Sequence, residues 1–362
     1  MDKQEQEQQG TKRRWVKSVP LLIVEVFILF LAIGILYVVV TATDEVERKD
    51  IDKENIVINE EVAEAMKTDE SKEDTAKGYR SIALFGVDAR DGELGKGTRS
   101  DSIIIASINQ DTQEIKLISV FRDTYLNLGN DSYNKCNAAY AQGGPEQAIN
   151  MLNTNMDLNI TDYVTVGFGG LIDAVDALGG IEMEITEKEI SHLNNYQLSM
   201  AKDMGVDYIP VENSGVQLLN GMQATAYCRI RYGGGDDFRR AERQRDVLTA
   251  MMNKAKGASV SELTDMVNAI LPQVQTSLGL NDILSVLGSV AGYNVVASDG
   301  FPFADSRAGV RIGSKGDCII PDDLEENVIE LHDLLYPETD YQPSKQVISI
   351  SEEIEEQTEA YR

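Results

Sequence analysis

Residues 21–40, LLIVEVFILFLAIGILYVVV, form a nearly unbroken apolar run whose only charge is Glu25. About 20 such residues suffice to cross the hydrocarbon core of a bilayer as a helix. A cleaved signal would carry a shorter run closed by a small-residue site, and Ala42 in VVVTATDE is a weak one. The run therefore reads as an anchor that stays on the protein. Lys3, Lys12, Arg13, Arg14 and Lys17 precede it, with Trp15 as an interface residue, and the mostly acidic TATDEVERKDIDKE follows. Positive flanks stay in the cytoplasm. The expected order is a cytoplasmic tail at 1–20, a transmembrane helix at 21–40 and everything after it outside.

Charge narrows what the outer part does. The chain has 33 Lys+Arg against 60 Asp+Glu, a formal net charge of −27. General nucleic-acid binding needs dense Lys and Arg and is disfavoured. A local cationic site is not excluded, because net charge is silent about placement. Three cysteines and two histidines exclude a disulfide scaffold and argue against a Cys/His zinc site.

Residues 41–78 hold many charges and no aromatic residue, which reads as a solvated extracellular stalk. From Tyr79 the pattern becomes that of a folded domain, expected over 79–340. SIALFGVD, SDSIIIASINQ and EIKLISVF are β-branched runs, the last two joined by a hairpin turn at NQDTQ. PEQAINMLNTNM reads as a helix with proline in its first turn. DYVTVGF and IEMEI read as strands around the helix GLIDAVDALGG. GVQLLNGMQATAYCRIRY reads as a loop leading into a short helix. A long helix is expected from Asp237 to Lys256, helical spacing continues over 257–295, and IIPDDLEENVIELHDLLY gives a last helix. Residues 341–362 read as a frayed acidic tail. Strands alternating with helices indicate an α/β domain with a mixed central sheet flanked by helices in α-β-α layers.

Three segments concentrate chemistry. RIRYGGGDDFRRAERQR holds Arg229, Arg231, Arg239, Arg240, Arg243 and Arg245 against Asp236, Asp237 and Glu242. Arginine suits bidentate capture of phosphate oxygens, and Gly233–Gly235 lets a loop bring a helix N-terminus to an anion. Helical spacing puts Arg240, Arg243 and Gln244 on one face. GVDARDGELGKGTRSDS offers Asp88, Arg90, Arg99 and Asp101 in a polar loop between strands, and two carboxylates on adjacent strands suit Mg²⁺. SVFRDT adds Arg122 and Asp123, with Lys135 following. Arginines with paired carboxylates point to a pyrophosphate and a metal. Arg122 and Arg229 are expected to be surface arginines facing the ligand. His192 and His332 lie outside these segments and read as non-catalytic.

The segments LFGVDAR, GTRSDSIII, LISVFRDTYL, NKCNAAYAQGG, DALGGIEMEI, LNGMQATAYCRIRY and DDFRRAERQR, in this order over residues 80–256, resemble the LytR-CpsA-Psr family of Gram-positive cell walls. That resemblance implies a phosphotransferase. It would move a teichoic acid, capsular or related glycopolymer from an undecaprenyl-pyrophosphate carrier to a peptidoglycan hydroxyl, forming a phosphodiester. It implies Asp88 and Asp101 as carboxylates for Mg²⁺, or Mn²⁺ in its place. It implies Arg99, Arg122, Arg229, Arg231, Arg240 and Arg243 as a pyrophosphate clamp with Gln244, and Arg90 and Lys135 as secondary members. It places the polyprenyl tail in an apolar tunnel. A lipid-pyrophosphate hydrolase and a membrane-anchored transcriptional regulator are the alternatives. Arg239 departs from the family, standing where a small residue is common. Cys136 and Cys228 stand where apolar or small residues are usual, and all three cysteines are expected as free buried thiols.

Overall fold

The computed structural model describes residues 47–48, 55–58, 78–87, 94–95, 97–232, 237–270, 273–279, 282, 289 and 291–362. The expected anchor at 21–40, the tail at 1–20 and most of the stalk lie outside them. Among the described residues no helix is long and apolar enough to cross a membrane.

The first half of the chain runs β1 (Glu47–Arg48), β2 (Tyr79–Val87), β3 (Ser100–Asn109), β4 (Glu114–Val120), β5 (Tyr125–Asn127), β6 (Tyr133–Lys135), α1 (Asn137–Met156), β7 (Asp162–Gly167) and α2 (Phe168–Ala177). It continues through β8 (Ile181–Ile185), α3 (Glu187–Met204), β9 (Gly215–Leu219), α4 (Gly221–Tyr227), α5 (Asp237–Lys256) and α6 (Val260–Ile270). The remainder is β10 (Val274–Thr276), β11 (Asn294–Phe301), β12 (Arg307–Ile312), β13 (Gly316–Pro321), α7 (Leu324–Leu335) and α8 (Lys345–Thr358).

Seven strands form the central sheet in the order β1-β10-β7-β2-β3-β4-β11. It is mixed, as expected. β2 pairs antiparallel with β3 and parallel with β7, β3 antiparallel with β4, and β4 parallel with β11. The β3–β4 turn forms because Asn109 Oδ1 accepts from the Asp111 and Thr112 amides at 2.9 and 3.0 Å.

Alternation along the strands feeds two faces. Phe85, Ile103, Ile105 and Ile118 point into a core shared with α1, α7 and α8. Ile104, Ala106, Ile115 and Leu117 point the other way, with Leu84 and Ile108, toward Leu248 and Met252 of α5. Burial on both faces is why these strands read as continuous apolar runs.

Several sequence expectations are corrected. The helix expected from Pro145 begins at Asn137, with a kink at Gly144, whose φ of 69° favours glycine. GVQLL is strand β9, paired with β8. The 257–295 stretch contains strands as well as helix: β10 lies within it and β11 begins at its end. Helix α3 was not anticipated. Part of the stalk lies on the domain: Ile56 is buried in the main core, and the Val57 amide donates to Asn150 Oδ1 at 2.9 Å.

The frayed tail is a packed helix. Ser344 caps α8 by accepting from the Val347 amide. Val347, Ile350 and Ile354 enter the main core, and polar tail residues fall on the opposite face. Buried Asp157 ties the connection down, accepting from Tyr341 Oη at 2.6 Å and from Ser344 N and Oγ at 2.9 and 2.8 Å. All three cysteines are free and buried, as expected. Burial pushes the Cys228 thiol up to about 12, so it is inert at neutral pH.

His332 is buried in α7, donates Nε2–H to the Met156 carbonyl at 2.8 Å and stacks on Tyr341. Burial pulls its pKa down to about 4. The unfolded chain therefore protonates first, and stability should fall as pH drops below about 6.5, by at most about 3 kcal/mol at pH 4. Urea unfolding at several pH values checks this, and His332→Gln should flatten that leg of the curve. Deleting residues 341–362 should remove roughly 5 kcal/mol of apolar burial. That is comparable with a domain's whole stability, so the truncated protein should lack a cooperative melting transition.

Candidate functional site

The site forms where strands end. β2, β4 and β7 run parallel to one another, and their carboxyl ends meet the start of β3. Ligands of open α/β sheets bind at such an edge. Gly86 is near the end of β2, Asp101 and Ser102 open β3, Arg122 follows β4, and Phe168 follows β7. The α4 end and the start of α5 close the site from above with Cys228, Arg229, Arg231, Arg240 and Gln244. Together these residues and Tyr196 of α3 line a cavity of about 180 Å³. A Cβ on Gly86 would stand 3.0 Å from Ser102 Cβ, so glycine keeps the floor open.

Four arginines face one carboxylate in this lining. Asp101 Oδ1 accepts from Arg122 at 2.5 Å. Arg122 Nε lies 3.4 Å from Asp123, whose other oxygen holds Lys135 at 2.9 Å. Asp237, the first residue of α5, is the second hub. Both its oxygens accept from Arg231, Arg240 lies 2.9 Å away, and Arg122 Nε is at 3.9 Å. Burial opposes ionisation of Asp237, but Arg240, Arg231 and Arg122 together outweigh it and hold its pKa below the usual carboxylate range. Burial and the neighbouring Arg122 lower the Arg240 pKa, opposed by Asp237. An anion entering this cavity meets cations already fixed in place.

The structure separates the residues the sequence grouped. Asp101, Arg122, Arg229, Arg231, Arg240 and Gln244 converge on the cavity. Lys135 reaches it only through Asp123. Arg99 is exposed just before β3, outside the cavity lining. Asp88 and Arg90 lie outside the described residues. Arg243 is elsewhere: 1% exposed, with Nε 3.0 Å from Glu189 and Nη1 donating to the Ile230 carbonyl at 3.1 Å. One helical step of three residues turns it away from Arg240 and toward α3, where the buried carboxylate of Glu189 requires a cation. Arg122 is no simple surface arginine, since three carboxylates surround it. Arg239 pairs with Glu242, and Arg245 donates to Ser298 Oγ, both away from the cavity.

Two aromatic residues escaped the sequence reading. The Arg229 guanidinium lies 4.7 Å from the Phe168 ring centroid and 5.8 Å from that of Tyr196. These ring faces orient the Arg229 guanidinium. Phe168 was legible as the residue leaving a strand toward the site. Tyr196 was not, because α3 itself was missed.

Beside the cavity the sheet face turns apolar and is packed beneath α5. Ser102, Ile104, Ala106 and Ile108 are a same-face row on β3, Gly86 and Leu84 the matching row on β2. Gln244, Leu248 and Met252 follow at four-residue spacing on α5, and Leu248 and Met252 pack against this face. For a divalent cation, Asp101 is the described carboxylate in the lining. Among the described residues no three Asp, Glu, His or Cys side chains gather as a metal site. A carboxylate at the edge of an anion-binding cavity suits a hard cation that takes most of its oxygens from phosphate and water, as Mg²⁺ does.

The LytR_cpsA_psr family profile matches residues 39–307. A teichoic acid transferase, TagU of Oceanobacillus iheyensis, is 31% identical over 220 residues, covering 59% of this chain and 63% of its own. TagU of Enterococcus faecalis is 32% identical over 209 residues, covering 57% and 64%. The chain thus spans less than two thirds of these relatives' length. Among solved structures, YwtF (TagT) with bound octaprenyl pyrophosphate lipid superposes with a TM-score of 0.53 at 21% identity, covering 74% of this chain and 94% of that one. A Streptococcus agalactiae protein gives 0.60 at 25% identity, covering 76% and 93%. With the profile covering well over half of its length, the chain belongs to the LytR_cpsA_psr family.

Proposed function

We propose that the protein transfers a cell-wall glycopolymer from a polyprenyl-pyrophosphate carrier to peptidoglycan, forming a phosphodiester. The observation that carries this is a cavity lined by four arginines and one carboxylate at the carboxyl ends of the strands, the charge pattern that holds a pyrophosphate. Its relatives' names, teichoic acid transferases, and the octaprenyl pyrophosphate of the superposed TagT agree with it. The single-pass anchor at 21–40, with the domain outside the membrane, belongs to the same proposal.

In this reading Arg122, Arg229, Arg231 and Arg240 hold the pyrophosphate, and the tail would have to part α5 from the sheet where Leu248 packs against Leu84 and Ile104. A sugar hydroxyl of the acceptor attacks the glycan-side phosphorus. The bond from that phosphorus to the bridging oxygen breaks, and polyprenyl phosphate leaves. The hydroxyl proton passes to a site carboxylate, Asp101 being the described one. Phosphoryl transfer is accelerated mainly by in-line positioning and charge neutralisation, which prearranged arginines supply. Mg²⁺, held by Asp101 with Asp88 and the substrate's phosphate oxygens, would neutralise further charge on the leaving phosphate.

Incubating the purified protein with lipid-pyrophosphate glycan, Mg²⁺ and peptidoglycan tests the reading. Wall-linked glycan is expected, whereas release of free glycan phosphate alone would make the protein a hydrolase. Arg229→Ala should lower transfer by roughly 100-fold or more with an almost unchanged melting temperature, because its partners among the described residues are ring faces. Arg122→Ala should lose transfer and also destabilise by about 1–3 kcal/mol, leaving three carboxylates without their shared cation. Arg243→Ala should behave differently, costing about 3–5 kcal/mol by stranding Glu189. Pairing it with Glu189→Gln should restore part of that loss in a denaturant titration.

A further inference from the structure

Arg307 opens β12, outside the arginine-rich segments read from the sequence, and it does not line the cavity. Its guanidinium carbon nevertheless lies 3.8 Å from the Phe238 ring centroid and 4.8 Å from that of Phe121. The two rings meet edge to face, with centroids 4.7 Å apart at 81°. Each ring adjoins a member of the site: Phe121 precedes Arg122, and Phe238 follows Asp237. A cation over both rings draws the end of β4 and the first turn of α5 together.

The support under this stack is firm. Arg307 Nη1 donates to the Pro302 carbonyl at 2.8 Å. The turn between them is tied to α7 through Asn327, whose Oδ1 accepts from the Phe303 amide and whose Nδ2 donates to the Ser306 carbonyl, each at 2.9 Å. The Phe121 amide donates to the Phe301 carbonyl at 3.0 Å, and a Cβ on Gly300 would collide with Phe121 Cζ, so glycine seats that ring. Burial lowers the Arg307 pKa, opposed by Asp299 and Asp305, and an arginine stays charged at neutral pH.

We propose that Arg307 is a positioning residue of the arginine cavity: stacked on Phe238, it fixes the first turn of α5, and with it Asp237 and Arg240, against Arg122. Arg122 Nε and the Asp237 carboxylate are 3.9 Å apart, and Arg240 is 2.9 Å from that carboxylate. A small rotation of the first turn would break this arrangement. The rest of α5 would stay in place, because Val247, Leu248 and Met252 hold it farther along. The ligand's identity rests on the transfer reading, whereas the coupling of Arg307 to the start of α5 does not.

The test uses the full chain in detergent, with hydrogen exchange read in the ligand-free protein and octaprenyl pyrophosphate as the binding probe. Arg307→Met keeps length and apolar packing but removes the cation, and Arg307→Lys supplies one again. Arg307→Met should speed exchange at the Ala241 and Glu242 amides and weaken octaprenyl pyrophosphate binding, each roughly tenfold. Exchange at Leu248 and Met252 should not change, and the melting temperature should stay within a few degrees of wild type. Arg307→Lys should recover most of both losses. In a Phe238→Leu background, Arg307→Met should add nothing, whereas a charge acting on the ligand through space would add the same loss in both backgrounds. Unchanged exchange at Ala241 and Glu242, a loss spread along the whole of α5, no rescue by lysine, or additive losses would overturn the proposal. If the wild-type protein binds no octaprenyl pyrophosphate, the transfer reading falls, and the exchange measurements alone decide the role of Arg307.

Discussion

The carboxylate of Asp237 organises the site. It sits at the first residue of α5, where a helix N-terminus favours negative charge, and it accepts from Arg231 while Arg240 stands beside it. Without that anion, Arg122, Arg231 and Arg240 would repel one another across a small, partly desolvated space. With it, three cations stay close and keep net positive charge toward the cavity. Asp101 and Asp123 perform the same service on the β4 side, through Arg122 and Lys135. The cluster is a lattice of alternating signs with an excess of arginine at one opening. A phosphate ligand then completes the pattern instead of creating it, so little reorganisation is required on binding.

Helix α5 has to satisfy two surroundings at once. Arg240 and Gln244 face the cavity and Leu248 and Met252 continue that line over the sheet. Arg243 and Val247 face the smaller core built on α3, β8 and α4. The same residue type therefore serves different ends three positions apart. Arg243 locks two layers together through Glu189, which also accepts from the Thr186 amide and hydroxyl at the start of α3. Arg240 remains available to a ligand. Their separation is set by helix phase and not by chemistry.

That distinction explains what the sequence could and could not yield. The sheet's central strands, the α5 span and most of the arginine cavity were readable from β-branched runs, glycine breaks and clustered arginines. Arg243 was misassigned because a one-face reading of Arg240, Arg243 and Gln244 ignores the buried acid waiting on α3. That acid belongs to a helix whose polar sequence hid it, although Thr186 and Glu189 spell a capping box. The arginine–aromatic stack of Arg229 was invisible for the same reason, since Tyr196 comes from that helix. Helix α8 was read as tail because Glu352, Glu353, Glu355 and Glu356 dominate it. Its apolar face, Val347, Ile350 and Ile354, has helical spacing and was overlooked amid the charge.

The place of α8 bears on how the protein comes into being. Its side chains complete a core begun by β2 and α1, nearly the full length of the domain earlier in the chain. A polypeptide made N-terminus first cannot close that core until Lys345–Thr358 has emerged from the ribosome. Until then Phe85, Ile103 and Leu152 lack part of their cover, and the nascent chain stays open, pliant and exposed to chaperones. Emergence of α8 becomes the trigger for folding, which keeps the chain threadable until then.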